Sequence, residues 1–223
     1  MFVNLWMTRE VLTVSPETPL AELAALMSQH RIRRLPVVQG PSRRLVGIVS
    51  YSDVLHAFPA DLNPSSADAA DQLVKSGQGE HVRAADLMTR QPATITGDAP
   101  IESAARVMRR RKVGALLVVQ GESLVGLITE SDIFRAMIEL FEPKERAVRI
   151  TFTLKDSEDV LPLVAEIARR REMRVTSFFA LSHHEPPMAV VQVSGRNVEA
   201  TLEDVWKSRH RVMNVVHLEP GAT

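Results

Sequence analysis

The stretch from Leu124 to Asp132, LVGLITESD, predicts a buried strand that runs directly into a helix. Its first five residues are mostly apolar, as in a strand that is covered on both faces. The Thr and the Asp that follow have the spacing of a helix capping box, in which the two side chains bond each other's backbone N–H groups. The stretch from Leu45 to Asp53, LVGIVSYSD, repeats the pattern. The chain therefore contains a tandem duplication, which must be recognised before any single element is assigned.

The duplication extends well upstream of these two strands. Met7-Thr8-Arg9 recurs as Met88-Thr89-Arg90, and the sequence VVQG at 37–40 recurs at 118–121. After that point the copies differ in length only at PSRR, residues 41–44 of the first copy. Gly-, Pro- and Ser-rich turns at a surface tolerate such changes, so both copies are expected to share one fold.

Each copy is predicted to have the element order β-α-β-β-α, in residues 1–58 and 83–142. A short extended stretch at 12–14 or 93–95 precedes a helix with an apolar stripe, and two apolar strands and a last helix follow. Because one copy alone would expose apolar sheet, we expect the two to pack sheet against sheet about a pseudo-two-fold axis. Residues 59–82 are rich in Pro, Ser and Gly and predict a linker with at most one short helix, at 67–75.

The C-terminal residues 146–220 follow a different pattern. Their hydrophobic periodicity predicts the order β-α-β-β-α-β, which is that of a ferredoxin-like sandwich. The predicted strands are 148–154, 174–181, 188–193 and 212–218, and the predicted helices are 160–171 and 198–209. The chain is therefore predicted to be an α/β (α+β) protein.

The composition excludes several classes of function. Lys plus Arg and Asp plus Glu number 27 each, so the chain lacks the positive charge of a dedicated nucleic-acid-binding protein. It contains no Cys, which excludes thiolate nucleophiles and zinc–thiolate sites. There is no Ser/His/Asp set, P-loop or GxGxxG motif, so we predict no catalytic residues and no required cofactor. No apolar run approaches the roughly 20 residues of a membrane span, and we expect a cytoplasmic protein without a membrane partner.

The adjacent His183 and His184 are the best candidates for a metal site. No acidic or His residue lies at helical spacing from them, and adjacent residues on a strand point to opposite faces. We therefore predict no metal ligands and place both residues in an exposed hairpin.

The Met-Thr starts, the Thr-Val and Thr-Ile stretches, the LPVV run and the Gly-x-x-[Ser/Thr]-x-x-Asp endings together resemble a CBS-domain pair, or Bateman module. The tail is similar in order and length to an ACT domain, and the combination resembles the acetoin-utilisation regulatory proteins. This resemblance implies a non-enzymatic regulatory protein that senses an adenine nucleotide or related adenosyl ligand (AMP, ADP or ATP) in the cleft between the copies. It also implies a homodimer, with a protein target that the sequence does not name.

The residues make physical sense for such a ligand. Asp53 or Asp132 can accept hydrogen bonds from both ribose hydroxyls, and Ser50 and Thr129 stand at a helix start, where a phosphate is favoured. The paired Thr and Val or Ile of each first strand would line the base. Arg33 and Arg34 could neutralise phosphate charge. The expected nucleotide-binding residues are Thr13, Val14, Arg33, Arg34, Leu35, Pro36, Ser50, Asp53, Thr94, Ile95, Ala115, Leu116, Thr129 and Asp132.

The two clefts are expected to differ. The second copy has Gly114-Ala115 where the first has Arg33-Arg34, so the cleft near Arg34 should be more receptive to polyphosphate. The cations at 109–112 are interpreted as a solvated last helical turn at the negative end of the helix dipole, with a ligand-contacting role as the alternative.

Two alternatives stay open. The Ser50/Asp53 and Thr129/Asp132 pairs would also be explained as helix caps alone. The second functional hypothesis is a dimeric interaction scaffold without a bound nucleotide. Its melting temperature would ignore every nucleotide, because a ligand of the native state raises stability by mass action.

Overall fold

The computed structural model describes residues 1–57, 81–155 and 158–220. The linker helix predicted at 67–75, and most of the linker itself, lie outside these residues. The chain divides into two compact units, Met1–Ala136 and Met137–Thr223. No helix of the described residues is long and apolar enough to cross a lipid bilayer.

The first unit contains the two copies, which share the succession helix-strand-strand-helix. Its helices and strands are α1 (Leu20–Gln29), β1 (Arg34–Gln39), β2 (Arg44–Ser50), α2 (Tyr51–Ala57), α3 (Ala84–Leu87), β3 (Thr94–Thr96), α4 (Ile101–Arg111), β4 (Ala115–Gln120), β5 (Ser123–Thr129) and α5 (Glu130–Phe141), the last of which continues into the second unit. The order predicted from the repeat is therefore present, with one exception in the first copy.

That exception is the first strand of the first copy. At 12–14 only Val14 pairs with a neighbour, Val37, whereas the equivalent β3 pairs with β4 over three residues. The prediction of a strand here was wrong in extent. The backbone N–H of Ser15 donates to the side chain of Thr18 at 3.1 Å, and Pro16 has no N–H, so the chain leaves the sheet at once.

The five strands form one sheet in the order β1-β2-β5-β4-β3. The two copies meet where β2 and β5 pair antiparallel through Arg44 and Ser123, which occupy equivalent positions in the two copies. Antiparallel pairing of equivalent positions is what a two-fold axis between the copies produces, in agreement with the predicted pseudo-two-fold relation. The strands of the two copies are joined edge to edge at this one position, where Leu45 N–H donates to the carbonyl of Glu122 and Leu124 N–H to that of Arg43.

The first unit has two hydrophobic cores, each built mainly on one copy. The buried residues of the first unit form two separate clusters, one centred on Leu20, Leu23 and Leu35, the other on Leu116 and Ile128. The first unit therefore has two hydrophobic cores, one beneath each half of the sheet. Each cluster also takes in residues from the start of the other copy, Ala84 in the first cluster and Val3 in the second.

The start of each copy packs on the other copy. Thr8 and Leu127 exchange backbone hydrogen bonds of 2.8 and 2.9 Å, and Thr89 and Ile48 exchange bonds of 2.9 and 3.1 Å. We call Met7-Thr8 and Met88-Thr89 the exchanged segments. They explain the glycine of the repeated LVG stretch, since a Cβ at Gly126 would lie 2.6 Å from Met7 Sδ.

The second unit has the predicted order β-α-β-β-α-β. Its elements are β6 (Ala147–Thr153), α6 (Leu161–Arg170), β7 (Arg174–Leu181), β8 (Met188–Ser194), α7 (Val198–Lys207) and β9 (Arg211–Leu218). Neighbouring strands are antiparallel, in the order β7-β8-β6-β9. The helices cover one face, over a core that includes Ile150 and Phe152. His183 and His184 lie in the exposed turn between β7 and β8, as predicted.

An ion pair ties the two helices of this unit together. Arg171 donates two hydrogen bonds, of 2.8 and 2.9 Å, to the carboxylate of Asp204. Hydrogen bonding from Arg171 is the main cause that holds the pKa of Asp204 below its usual value, and partial desolvation opposes it. This unit therefore has an internal electrostatic contact of its own.

Candidate functional site

A cavity of about 380 Å³ opens in the first unit and is built from both copies. Its lining residues are Arg34, Ile48, Ser50, Asp53, Thr89, Gln91, Pro92, Ala93, Arg111, Lys112, Val113, Gly114 and Ala115. We call it the Asp53 cleft. The first copy supplies the β2–α2 junction, and the second supplies one exchanged segment and the turn between α4 and β4.

The carboxylate of Asp53 is held in place by the strand-to-helix junction. Ser50 donates its backbone N–H and its hydroxyl to Asp53 Oδ2, at 2.7 and 2.6 Å, and Asp53 N–H returns a bond of 3.3 Å to Ser50 Oγ. This is the reciprocal cap that the repeat predicted. Among the residues that the structure describes, none donates to Oδ1.

The equivalent junction of the second copy is closed. Thr129 donates its N–H and its hydroxyl to Asp132 Oδ2, at 2.9 and 2.7 Å. In addition, Arg135 donates to Asp132 Oδ1 at 2.8 Å and to the carbonyl of Trp6 at 3.2 Å. Asp132 is only 8% exposed, and both of its oxygens are bonded. At the position of Arg135 the first copy has His56, which is exposed.

A second feature of the cleft is its cations. Arg34 begins β1 and lies against Gly114 of the other copy, where an added Cβ would be 2.8 Å from Arg34 Nη2 and 3.2 Å from Glu130 Oε2. The absence of a side chain at Gly114 thus makes room for a guanidinium and a carboxylate. Arg111 and Lys112 come from the end of α4, where Lys112 adopts a left-handed backbone with φ 53° that terminates the helix.

Four of the residues expected from the sequence line this cleft, namely Arg34, Ser50, Asp53 and Ala115. The other expected residues do not line it. Leu35, Pro36 and Leu116 are buried within β1 and β4, and Thr129 and Asp132 form the closed junction of the second copy. Those remaining, which also lie outside the cleft lining, are Thr13, Val14, Arg33, Thr94 and Ile95.

The sequence did not assign most of the second copy's contribution. Pro92, Ala93 and Val113 of the second copy form an apolar wall with Ile48 of the first, and Thr89 was recognised only as part of the repeated Met-Thr start. Arg111 and Lys112 are exposed, as expected of a solvated turn, but they also line the cavity. The visible signal for this role was the unbroken run of four cations before Val113.

Comparison with known proteins supports the interpretation of the repeat. The family model described as the CBS domain matches residues 3–60 and 84–139, which are just over half of the chain. Inosine-5'-monophosphate dehydrogenase of Korarchaeum cryptofilum is 34% identical over 143 residues, 64% of this chain but only 25% of that protein. A CBS domain-containing protein of Dictyostelium discoideum is 28% identical over 144 residues, 64% of this chain and 95% of that protein.

Solved structures give the same result. A protein assigned to acetoin utilization (AcuB) from Vibrio cholerae has a TM-score of 0.50 at 29% identity, covering 63% of this chain and 92% of its own. CBSX2 in complex with AMP has a TM-score of 0.50 at 26% identity, covering 62% of this chain and 97% of its own. CBSX2 from Arabidopsis thaliana scores 0.51 at 26% identity, over 62% of this chain and 95% of its own. With its duplicated motif, its two-fold arrangement and these matches, the chain belongs to the CBS-domain family.

Proposed function

We propose that this protein is a non-enzymatic regulatory protein that binds an adenine nucleotide, or a related adenosyl ligand, in the Asp53 cleft. The observation that carries the proposal is a single cavity, drawn from both copies, that combines three cations with a carboxylate whose Oδ1 is bonded by none of the described residues. The similar protein CBSX2 has been solved with AMP, which supports the ligand class. The Korarchaeum dehydrogenase does not argue for an enzyme, because the aligned region is a quarter of that protein.

Each part of the cleft has a role in this proposal. Asp53 Oδ1 accepts the ribose hydroxyls, as acidic residues do in other nucleotide folds. The Ser50 hydroxyl is already committed to Asp53, so it orients the carboxylate. The base lies against the apolar wall, which includes Ile48 and Val113. Arg34 meets the phosphate, since a guanidinium binds phosphate oxygens through two parallel hydrogen bonds.

Regulation follows from the shared construction of the site. A ligand that touches residues of both copies favours the arrangement that brings those residues together, and such a preference is what shifts a conformational equilibrium. The residues proposed to respond are the linker at 59–82 and the C-terminal unit.

Isothermal titration with AMP, ADP and ATP tests the site. Asp53→Asn keeps an oxygen for the helix cap but removes the charge, so we expect at least a tenfold loss of affinity, about 1.4 kcal/mol. The matched control is Asp132→Asn at the equivalent position, which should leave affinity within about twofold, since the proposal assigns Asp132 no ligand contact. Absence of heat with every nucleotide, or unchanged binding by Asp53→Asn, would refute the proposal.

The alternative function, an interaction scaffold, makes a contrary prediction. A bound nucleotide raises the melting temperature by mass action, whereas a scaffold's melting temperature stays constant at any nucleotide concentration. Incubation of nucleotide with the protein, followed by chromatography, tests whether the protein is an enzyme. We expect the nucleotide to remain intact.

We also propose a homodimer, formed by α5. Phe134, Met137 and Ile138 lie on one stripe of this helix and are 64%, 46% and 57% exposed. An apolar stripe on a helix can bury itself against the same stripe of a second copy, because a two-fold interface needs only one self-complementary patch. Sedimentation of Phe134→Glu/Ile138→Glu should show monomer, and Glu139→Lys, on the same helix, should stay dimeric. A monomeric wild type at micromolar concentration would rule the dimer out.

The remaining expectations are also proposals. The domain boundaries stay at 1–58, 59–82, 83–142 and 146–220, and the C-terminal unit is proposed to be ACT-like on its strand order. The link to acetoin utilisation rests on the likeness to the Vibrio cholerae protein. Growth on acetoin with and without the gene would test it.

A further inference from the structure

We infer that the Asp53 cleft selects nucleoside polyphosphates over monophosphates, through Arg111 and Lys112 of the second copy. This inference rests on the proposed function, in which the ribose binds at Asp53. It adds the chemical class of the ligand and names the residues that read it.

The first step is the distribution of charge in the cleft. Its lining holds one carboxylate, Asp53, which is assigned to the ribose, and three cations, Arg34, Arg111 and Lys112. Glu130 lies close to Arg34 over Gly114 and offsets part of its charge. Within the described part of the first unit, the one ion pair is that between Arg135 and Asp132. Arg111 and Lys112 are therefore cations that a ligand can neutralise.

The second step is the charge that the ligand brings. A monophosphate carries about two negative charges at neutral pH, which the planar guanidinium of Arg34 can meet by bidentate hydrogen bonding. Every further phosphate adds negative charge and more acceptor oxygens beyond the first. Arg111 and Lys112 line the same cavity and are exposed, so they can reach these outer phosphates.

The third step is which residues of the basic run at 109–112 line the cavity. Arg109, Arg110, Arg111 and Lys112 are consecutive and all exposed, but only the last two line the cavity. A general effect of the helix dipole or of net positive charge would involve all four. A role in binding the outer phosphates involves only Arg111 and Lys112, and the run therefore contains its own control.

The experiment compares Arg111→Gln/Lys112→Gln with Arg109→Gln/Arg110→Gln, two variants of equal charge change on the same helix end. AMP, ADP and ATP are titrated without divalent cations, at two salt concentrations, with melting curves to confirm folding. For the wild type and for the Arg109/Arg110 variant we expect ATP to bind about tenfold more tightly than AMP, an advantage that shrinks at high salt because the cations are exposed. In the Arg111/Lys112 variant, ATP should weaken to the level of AMP while AMP itself changes less than about threefold.

The outcomes separate this inference from the proposal beneath it. Binding of no nucleotide would overturn both. Equal affinities of the wild type for AMP and ATP would overturn the polyphosphate selection alone. Equal losses of ATP affinity in the two variants would overturn the assignment to Arg111 and Lys112, because general attraction would then explain the effect.

Discussion

The two copies share a strand, a turn and a reciprocal helix cap, yet they present their carboxylates differently. Asp53 lines a cavity and no described residue bonds its Oδ1, whereas the Oδ1 of Asp132 accepts a hydrogen bond from Arg135 at 2.8 Å. The cause is one position, three residues beyond the Asp, where the first copy has His56 and the second Arg135. A motif therefore identifies where a site can form, and the next turn of helix decides whether it is available.

A second difference acts in the same direction. Arg34 of the first copy lies opposite Gly114 of the second, and the equivalents of these two residues are Ala115 and Arg33. The pseudo-two-fold thus places a large cation against a missing side chain in the Asp53 cleft. The two copies are therefore complementary rather than identical at this cleft.

The largest expected effect concerns the glycines beneath the exchanged segments. Gly126→Ala should destabilise the protein by about 2–3 kcal/mol, the upper part of the range for overpacking, because its Cβ would lie 2.9 Å from the backbone carbonyl of Thr8 as well as 2.6 Å from Met7 Sδ. For Gly47→Ala the three nearest atoms all belong to the side chain of Met88, the first being Sδ at 2.5 Å, and the cost should be about 1–2 kcal/mol. Denaturant unfolding of both variants makes the comparison.

Equal losses of unfolding free energy in these two variants would show that both exchanged segments accommodate an added Cβ equally well. A greater loss for Gly47→Ala would contradict the distinction between a flexible thioether and a fixed carbonyl.

A transplant of the second copy's arginine into the first gives the next effect. In His56→Arg the new guanidinium is expected to bond Asp53 Oδ1, as Arg135 bonds Asp132, and to compete with the ribose. We expect about a tenfold loss of nucleotide affinity, about 1.4 kcal/mol, measured by titration. His56→Gln is the control, and its affinity should stay close to that of the wild type. If both variants bind equally well, the residue one turn after the Asp does not set availability.

The reverse change should have the smallest effect. Arg135→Ala removes a partner whose own side chain is 63% exposed, so the loss of stability should stay within about 1 kcal/mol. It frees Asp132 Oδ1, and a second, weaker nucleotide should then bind, seen as a rise in stoichiometry in native mass spectra. An unchanged stoichiometry of one would mean that other features keep the second cleft closed.

Much of the fold could be predicted because local patterns encode it. The apolar runs of β4 and β5 and the capped helix starts are visible over a few residues, and the duplication confirms each element twice. The exchange of Met7 and Met88 between copies could not be predicted in this way, since no local pattern records which distant glycine a methionine will cover. The early end of the strand at Val14 was not predicted because it depends on the hydrogen bond from the backbone N–H of Ser15 to the side chain of Thr18.

The sequence predicted the kinds of chemical group in the site better than it predicted which residues line it. Asp53, Ser50 and Arg34 were found because carboxylate, hydroxyl and guanidinium are what a nucleotide needs, and the repeat marked their positions. The prediction that Asp132 binds a ligand in the same way overlooked Arg135, which follows it at the i,i+3 spacing at which helical residues form ion pairs. Arg111 and Lys112 depended on where α4 ends, and that is set by the backbone of Lys112, which composition does not reveal.

The pairing of Arg44 with Ser123 has a consequence for how such a molecule arises. Contact between equivalent positions is what two free chains of a single repeat would make on association, each lending its first residues to the other. Fusing them into one polypeptide removes the dependence of that association on concentration, since the partner is always attached. It also allows the two copies to mutate independently. One copy can then specialise in ligand recognition, while in the other the ion pair of Arg135 with Asp132 leaves the junction a structural role.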